Sequence, residues 1–196
     1  MKKKQNQTIL ALVEGAAMAA LAVVLQLVMS FIPGQPQGGS ISIAIIPIIY
    51  YAYRRGTGWG LLAGIVWSVT ELLIGGFYAP PAGTFFSVVL CLLLDYIIAF
   101  GVAGIAPLFA KPFGERRILG YTVGAVAVSV IRYISSFLSG VLLWGSYAPE
   151  DMNVWLYSLA YNGAYMIPNI ILAGVLIIPL CLAVDPKTLK PYKRTK

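Results

Sequence analysis

The sequence predicts an all-α integral membrane protein with six transmembrane helices, and three observations lead to this fold class. First, 59% of the 196 residues are hydrophobic and only 11% are charged, whereas about a quarter of a typical soluble domain is charged. Second, the apolar residues form runs long enough to cross a bilayer, which takes about 20 residues. Third, the basic residues fall into short clusters between these runs.

Five of the apolar runs are long and one is short. The short run, residues 41–53, has thirteen residues and by length alone could be a re-entrant or buried segment. We count it as a span that extends into residues 38–40, because the charges described next require it. The chain is then a single membrane domain, residues 1–196, with spans at about residues 8–32, 38–53, 57–77, 85–110, 118–144 and 155–183.

The positions of the basic residues predict the topology. Thirteen of the fourteen Lys and Arg residues lie at the N-terminus, after the second run, between the fourth and fifth runs, or after the last run. The loops at residues 33–40, 78–84 and 145–154 contain neither Lys nor Arg. With six spans, every basic cluster lies on one side, and the positive-inside rule makes that side cytoplasmic, together with both termini. The net charge of +7 also favours attraction to anionic lipid.

Several classes of protein are disfavoured by what the sequence contains and lacks. The basic residues are scattered over four short segments, which is not typical of a nucleic-acid-binding protein. The chain has no His and no G-x-x-x-x-G-K-[ST] phosphate-binding loop. Cys91 and Cys181 fall inside spans, where a disulfide or a metal site is not expected. We therefore predict no enzyme activity, no metal and no cofactor, and ATP-driven transport would need an ATPase on another chain.

Four ionisable residues lie inside the predicted spans, where an uncompensated charge costs several kcal/mol. Glu14 lies near the cytoplasmic end of the first span, and pairing with a basic loop would give it a structural role. Glu71 follows Trp67 by four residues on the same helix face. Asp95 and Arg132 could form a buried ion pair that defines one helix packing. Alternatively, Asp95 faces a cavity and attracts a cation, and the two possibilities are compatible.

Aromatic residues cluster towards the outer side. An interfacial aromatic belt explains those near the loops, but Tyr96, Tyr161 and Tyr165 lie further down their helices. Aromatic rings together with a carboxylate suit a flat, positively charged ligand. Asn162 adds an amide that could bind the edge of a heterocycle. Tyr157 precedes it by five residues, so both reach one place only if this helix begins late or bends.

Span five contains a stripe of residues with a possible role in binding. Arg132, Ser136, Gly140 and Trp144 recur every four residues and stay on one broad helix face. Gly140 removes a side chain from this face, which would let either a ligand ring or a neighbouring helix approach the backbone. The spacing does not decide between these two roles.

Three segments resemble one protein family. The segment at residues 132–168, RYISSFLSGVLLWGSYAPEDMNVWLYSLAYNGAYMIP, closely resembles the signature of the thiamine-specific S components of energy-coupling factor (ECF) transporters. LLDYIIAFG at 93–101 and PQGGSISI at 36–43 resemble the same family, and the resemblance covers nearly the whole chain. It implies high-affinity thiamine binding in an outward-facing pocket of a protein of the bacterial plasma membrane. It also implies docking onto a transmembrane T component that carries two ATP-binding subunits.

The resemblance also implies roles for individual residues. Asp95 stands where the family has an acidic ligand for the thiazolium, and Arg132 matches a basic position that would hold this acid. Ser136 is a departure, because the family usually has His at that position; a related pyrimidine or thiazole compound is therefore an alternative substrate. The substrate-binding positions that match are Asp95, Tyr96, Trp144, Tyr157, Asn162, Gly140, Ser136 and Trp67.

Two further regions have expected roles. Ala16 and Ala20 lie one turn apart on the first span, and small residues at this spacing let two helices approach closely. Packing within the chain is the alternative, but the resembled family uses an A-x-x-x-A motif on this span to meet the T component, so docking is favoured. We expect the loop at residues 33–40, here called the first outer loop, to cover the bound ligand.

Two other classes of protein remain open. A proton- or sodium-coupled secondary transporter of a small organic cation would also need intramembrane carboxylates, here Glu71 and Asp95. Such a transporter would typically show internal repeats, and no clear repeat is seen. Uptake without ATP or partner chains would favour it. A membrane enzyme is disfavoured, since the chain has no His and neither Cys lies beside an obvious base; turnover of a bound ligand would favour it.

Overall fold

Over the residues that the computed structural model describes, 2–36 and 38–192, all regular secondary structure is helical, which confirms the predicted all-α class. Side chains are described from Gln5 onward, so those of Lys2–Lys4 lie outside the description, as do Lys193, Arg194 and Lys196 of the last basic cluster. The helices are α1 (Lys2–Met29), α2 (Ile45–Arg55), α3 (Thr57–Gly75), α4 (Phe85–Phe113), α5 (Arg117–Leu143) and α6 (Val154–Ala183).

Five of these helices, all except α2, are long and apolar enough to cross a membrane. Their mean hydropathy lies between 1.4 and 2.5, and the most buried of them has 39% of its most apolar stretch inside the bundle. Most of their surface therefore faces outward, as expected for helices that contact lipid.

The short second helix differs from the predicted span at residues 38–53. α2 has 11 residues, about 16 Å at 1.5 Å per residue, which is roughly half of the hydrocarbon thickness. Residues 38–44 are not helical, and within them Gly38 and Gly39 adopt φ values of +95° and +93°, which a right-handed α-helix does not contain. Residues 38–44 therefore form an extended segment that leads from the first outer loop into α2, which begins at Ile45.

Polar side chains of neighbouring helices hold the extended segment inside the bundle. The Ser42 backbone N–H donates to Asn169 Oδ1 of α6 at 2.7 Å, and Ser42 Oγ donates to Gln26 Oε1 of α1 at 2.6 Å. Backbone polar groups at membrane depth require such internal partners. Every residue of α2 from Ile45 to Tyr53 is buried, so this helix lies at the centre of the bundle.

The basic residues after α2 lie close to both ends of the chain. Arg54 Nε and Arg55 Nε both pair with Glu14 Oε2 of α1, at 2.9 and 2.6 Å. The Tyr50 hydroxyl donates to the backbone oxygen of Val184, just after α6, at 3.1 Å. The predicted structural role of Glu14 is confirmed. We call this side of the bundle, where α1 begins and α2 and α6 end, the basic end.

Glycines let the helices approach one another closely at the pairs Gly60–Gly64 and Gly120–Gly124. A Cβ on Gly64 would lie 3.0 Å from Gly101 Cα, and one on Gly120 would lie 2.8 Å from the Ala110 backbone oxygen. Both glycine pairs therefore pack inside the chain, and neither is available to a partner.

Candidate functional site

A cavity of about 450 Å³ lies at the end of the bundle opposite the basic end. Its volume is within the range of small-molecule sites. The late turns of α1, α3 and α5, the beginning of α6, the middle of α4 and the first outer loop form its walls. Seven of the eight predicted substrate-binding residues line it, and the exception is Trp67; the seven are Asp95, Tyr96, Ser136, Gly140, Trp144, Tyr157 and Asn162.

Asp95 occupies a π-helical segment of α4, Leu92–Ile98. Such wide turns interrupt the regular helix and are frequent at functional sites. The Asp95 Oδ2 atom accepts hydrogen bonds from Ser139 Oγ at 2.6 Å, Trp144 Nε1 at 3.4 Å and Cys91 Sγ at 3.4 Å. Oδ1 receives no hydrogen bond from any described residue. The carboxylate is therefore oriented by neutral donors, and one oxygen is available to a ligand.

Arg132 is not the partner of Asp95, which corrects the predicted ion pair. No ion pair joins the two residues in the part of the chain that the structure describes. The Arg132 guanidinium instead lies over the ring of Phe100, 4.7 Å from its centroid. The reason is that Asp95 and Arg132 lie at different levels along the bundle axis. Asp95 meets Ser139, which lies seven residues after Arg132 on α5, about 10 Å further along the helix.

Trp67 lies behind the cavity wall and is hydrogen-bonded to Glu71, which lines the cavity. Only 1% of Trp67 is exposed, and its Nε1 donates to Glu71 Oε1 at 2.9 Å. The Trp67 ring packs edge-on against Phe100, with centroids 4.6 Å apart, and Arg132 lies 6.0 Å from its centroid. The predicted shared face of Trp67 and Glu71 is confirmed, and Glu71 is the one that reaches the cavity.

The α5 and α6 helices meet closely at Gly140. A Cβ on this glycine would overlap Ser158 Oγ and lie 3.0 Å from Asn162 Nδ2, so close helix packing requires the glycine. Asn162 Nδ2 donates to the Ser158 backbone oxygen at 3.0 Å, and Asn162 Oδ1 accepts from the Tyr165 hydroxyl at 2.6 Å. These bonds orient the Asn162 amide at the cavity surface.

Tyr157 and Asn162 both line the cavity from the beginning of α6. The helix starts at Val154, capped by Asn153 Oδ1, which accepts from the Trp155 backbone N–H at 2.8 Å. Tyr157 therefore lies within the helix and not before it, so the late start that the sequence analysis offered as one explanation is not observed. The Tyr157 ring lies 5.6 Å from that of Tyr161, centroid to centroid, with the planes tilted by 38°.

The first outer loop lies against the cavity, where a cover was expected. Gly39 is pressed against the ring of Tyr165, so that a Cβ there would overlap ring atoms. The Tyr161 hydroxyl donates to the Gly38 backbone oxygen at 3.1 Å. The lining residues from this loop are Gly34, Gln35, Gly38, Gly39 and Ser40.

The sequence analysis missed polar residues of the site, among them Ser139 and Gln26. Ser139 binds Asp95, and Gln26 of α1 lines the cavity while holding Ser42. The signal that could have found them is an uncharged polar side chain inside an apolar span, which needs a partner in the membrane.

The cavity combines charge and aromatic surface. Glu71, Asp95 and Arg132 line it, so two formal negative charges against one positive charge leave an excess of one negative charge. Eight of its lining residues are aromatic: Tyr78, Tyr96, Phe100, Trp144, Tyr147, Tyr157, Tyr161 and Tyr165. Such a surface can stack on a flat ring and neutralise a cation.

Ala16 and Ala20 lie outside this site. Both are exposed on α1, whereas Ala19 between them is buried at 5% exposure. Neither alanine lines the cavity. The small-residue face of α1 is therefore not covered by any described part of the chain, in contrast to the glycine pairs of α3 and α5.

Comparisons with known proteins agree with this architecture. Residues 12–189 match the family described as thiamine transporter protein (Thia_YuaJ). The thiamine transporter ThiT of Bacillus subtilis (strain 168) is 35% identical over 96% of this chain and 98% of its own length. ThiT of Lacticaseibacillus paracasei is 29% identical over 94% and 92%. A solved structure of ThiT from Listeria monocytogenes covers 94% of this chain and 100% of its own, at 27% identity and a TM-score of 0.68.

These relatives and the long apolar helices make the chain a multi-pass protein of the cell membrane. With 178 of its residues, 12–189, matched, the chain belongs to the thiamine transporter protein family.

Proposed function

We propose that this chain binds thiamine from outside the cell and takes it up as the substrate-binding S component of an ECF transporter, whose partner subunits hydrolyse ATP. The observation that carries the proposal is the Asp95 carboxylate, with one oxygen free of hydrogen bonds from described residues, in an aromatic cavity. The chain's family and its relatives named thiamine transporter ThiT point to the same ligand.

The chemistry of thiamine fits the cavity. Thiamine has a thiazolium ring with a permanent positive charge and a neutral aminopyrimidine ring, both flat. Asp95 supplies the charge opposite the thiazolium, and Tyr96, Trp144 and Tyr157 supply faces on which rings stack. The Asn162 amide offers polar atoms to the edge of the pyrimidine. Ser136, which lines the wall with 9% exposure, leaves more room than a histidine would.

Transport through partner chains is supported by two features. The sequence has no phosphate-binding loop, so ATP would be bound by other subunits. The exposed Ala16 and Ala20 give α1 a flat face on which a helix of the transmembrane T component can pack closely. Thiamine enters from the outer side, the first outer loop covers it, and docking through α1 precedes its release to the cytoplasm.

The test is a titration of the purified, detergent-solubilised protein with thiamine, followed by tryptophan fluorescence. Trp144 lines the cavity, so a bound ring should quench its emission. We expect saturable quenching at nanomolar thiamine. A response to a pyrimidine or thiazole fragment, with none to thiamine, would replace the substrate by a related compound. No response to any of them would contradict the proposal and favour an ion-coupled transporter of another cation.

A further inference from the structure

A second cavity, of about 390 Å³, lies at the basic end, separate from the proposed substrate site. It is formed by the junction of α2 and α3, the end of α4, the beginning of α5 and the segment after α6. Its lining residues are Tyr53, Gly56, Thr57, Pro107, Leu108, Ala110, Lys111, Gly114, Arg117, Tyr121 and Lys187. Neither the proposed binding of thiamine nor docking through α1 uses any of them.

Three cations line this cavity, and only one is neutralised. Arg117 Nη1 pairs with Asp185 Oδ2 at 3.2 Å, and the Asp185 side chain is 1% exposed. Lys111 and Lys187 are exposed, and neither forms an ion pair with a described residue. Two positive charges are therefore left to face the cavity, on segments that are far apart in sequence.

A buried hydroxyl at the same place has no hydrogen-bond acceptor within the described residues. Tyr121 is 5% exposed, and its hydroxyl finds no acceptor among the described residues, since the Arg117 guanidinium beside it can only donate. Its neighbour Tyr53 is satisfied, because the Tyr53 hydroxyl donates to the Tyr121 backbone oxygen at 2.6 Å. Buried polar atoms are nearly always hydrogen-bonded in native proteins, so the Tyr121 hydroxyl points to an acceptor that the chain itself does not supply.

The remaining wall is apolar and reaches the lipid-facing surface. Pro107, Leu108 and Ala110 of α4 line it, and Leu108 is 55% exposed on the outside of the bundle. A ligand here would have a negatively charged group near the lysines and an apolar part along α4. A purely polar anion would leave the apolar wall without a contact, so it fits this cavity less well than an anion with an apolar part.

We infer that this cavity binds an anionic phospholipid, with its phosphate between Lys111 and Lys187 and the Tyr121 hydroxyl donating to one of its oxygens. Basic pockets between membrane helices on the cytoplasmic side hold anionic headgroups in this way. The bound lipid would join the end of α4 to the segment after α6. The inference does not depend on the identity of the transported substrate.

The test compares lipid binding to the purified protein by native mass spectrometry. The probes are phosphatidylglycerol and phosphatidylcholine with identical acyl chains. We expect one phosphatidylglycerol to be retained in preference to phosphatidylcholine. The double variant Lys111→Gln with Lys187→Gln should weaken this binding roughly thirtyfold. Each lysine near the membrane surface contributes about 1 kcal/mol to the attraction of an anionic lipid. Arg116→Gln with Lys190→Gln removes the same charge outside the cavity and should leave it unchanged.

Tyr121→Phe gives an independent readout. Because its hydroxyl has no acceptor without lipid, the variant should be about as thermally stable as the parent in lipid-free detergent, yet bind phosphatidylglycerol more weakly. Equal retention of both lipids, or identical losses in the two double variants, would overturn the inference. The inference would also be overturned if inorganic phosphate alone protected the protein against heat to the same extent as phosphatidylglycerol. The site would then be one for free phosphate.

Discussion

At the scale of single residues, the protein orients a carboxylate without cancelling its charge. Ser139, Trp144 and Cys91 donate to one oxygen of Asp95, and all three are neutral. An ion pair with Arg132 would have neutralised the charge that a cationic ligand needs. The Arg132 guanidinium instead lies over the Phe100 ring, so it does not neutralise the carboxylate, which stays able to attract a cation.

Asp95→Asn tests this account of the charge. The amide has the same shape and can still accept the Ser139 hydrogen bond, so the fold should be kept. Loss of the charge should weaken thiamine binding by roughly 2 kcal/mol or more, at least about thirtyfold in Kd. Tryptophan fluorescence titration measures it. Glu150→Gln, which removes an exposed acid from an outer loop, is the matched control. Equal Kd values for the parent and Asp95→Asn would contradict the electrostatic role.

At the scale of elements, the first outer loop depends on two adjacent glycines with different surroundings. Gly38 and Gly39 have nearly equal φ values, +95° and +93°. A Cβ on Gly38 would meet nothing within 4 Å, whereas one on Gly39 would collide with the Tyr165 ring. The loop can therefore lie on the cavity only because Gly39 has no side chain.

The pair Gly38→Ala and Gly39→Ala separates backbone strain from this contact. Both variants carry the cost of a positive φ, about 1 kcal/mol or more, but only Gly39→Ala should lift the loop from Tyr165. We expect a faster dissociation of thiamine for Gly39→Ala, by about tenfold relative to Gly38→Ala. Stopped-flow fluorescence measures the rate. Identical rates for the two variants would show that the loop does not retain the ligand.

The proposed role of α1 in docking can also be tested. Ala16→Trp with Ala20→Trp fills the exposed small-residue face of α1 and should abolish uptake while leaving thiamine binding intact, because the cavity is not lined by either residue. Leu62→Trp with Val66→Trp, at the same spacing on an exposed face of α3, is the control and should retain uptake. Measurement requires vesicles with the partner subunits and ATP. Full uptake by the α1 variant would place docking elsewhere.

At the scale of the whole molecule, the bundle has two chemically different ends. The cavity end is aromatic with a small excess of negative charge. The basic end is tied together by ion pairs, from Glu14 to Arg54 and Arg55 and from Arg117 to Asp185. The first of these connects α1 to the central α2, so the helix proposed to meet a partner is attached to the core at that end.

Glu14→Gln should therefore destabilise the bundle as a whole. The variant leaves Arg54 and Arg55 without their carboxylate, and hydrogen bonds to charged groups contribute roughly 1.5–3 kcal/mol each. We expect a lower Tm in detergent for Glu14→Gln. Glu115→Gln, which removes an exposed acid that forms no ion pair within the described residues, should leave Tm nearly unchanged. Equal Tm values for both variants would mean that the pairs contribute little.

Much of this arrangement follows from local properties of the chain. Long apolar runs predict helices in a bilayer, because a backbone in hydrocarbon must satisfy its own hydrogen bonds. The distribution of Lys and Arg predicts one basic end, and rare polar residues within apolar runs indicate where a site lies, because each needs a partner. Asp95, Tyr157 and Asn162 could be assigned to a candidate site on these grounds, and all three line one cavity.

The sequence by itself thus determined the membrane class, the helical content and the neighbourhood of the site. Only the tertiary structure decided which groups meet: Asp95 with Ser139 rather than Arg132, Trp67 behind Glu71, and the extended segment before α2 held by Gln26 and Asn169. The physical reason is that helical spacing defines a face but not the height or rotation of one helix against another. Those depend on long-range packing, such as the close contact of Gly140 with Ser158.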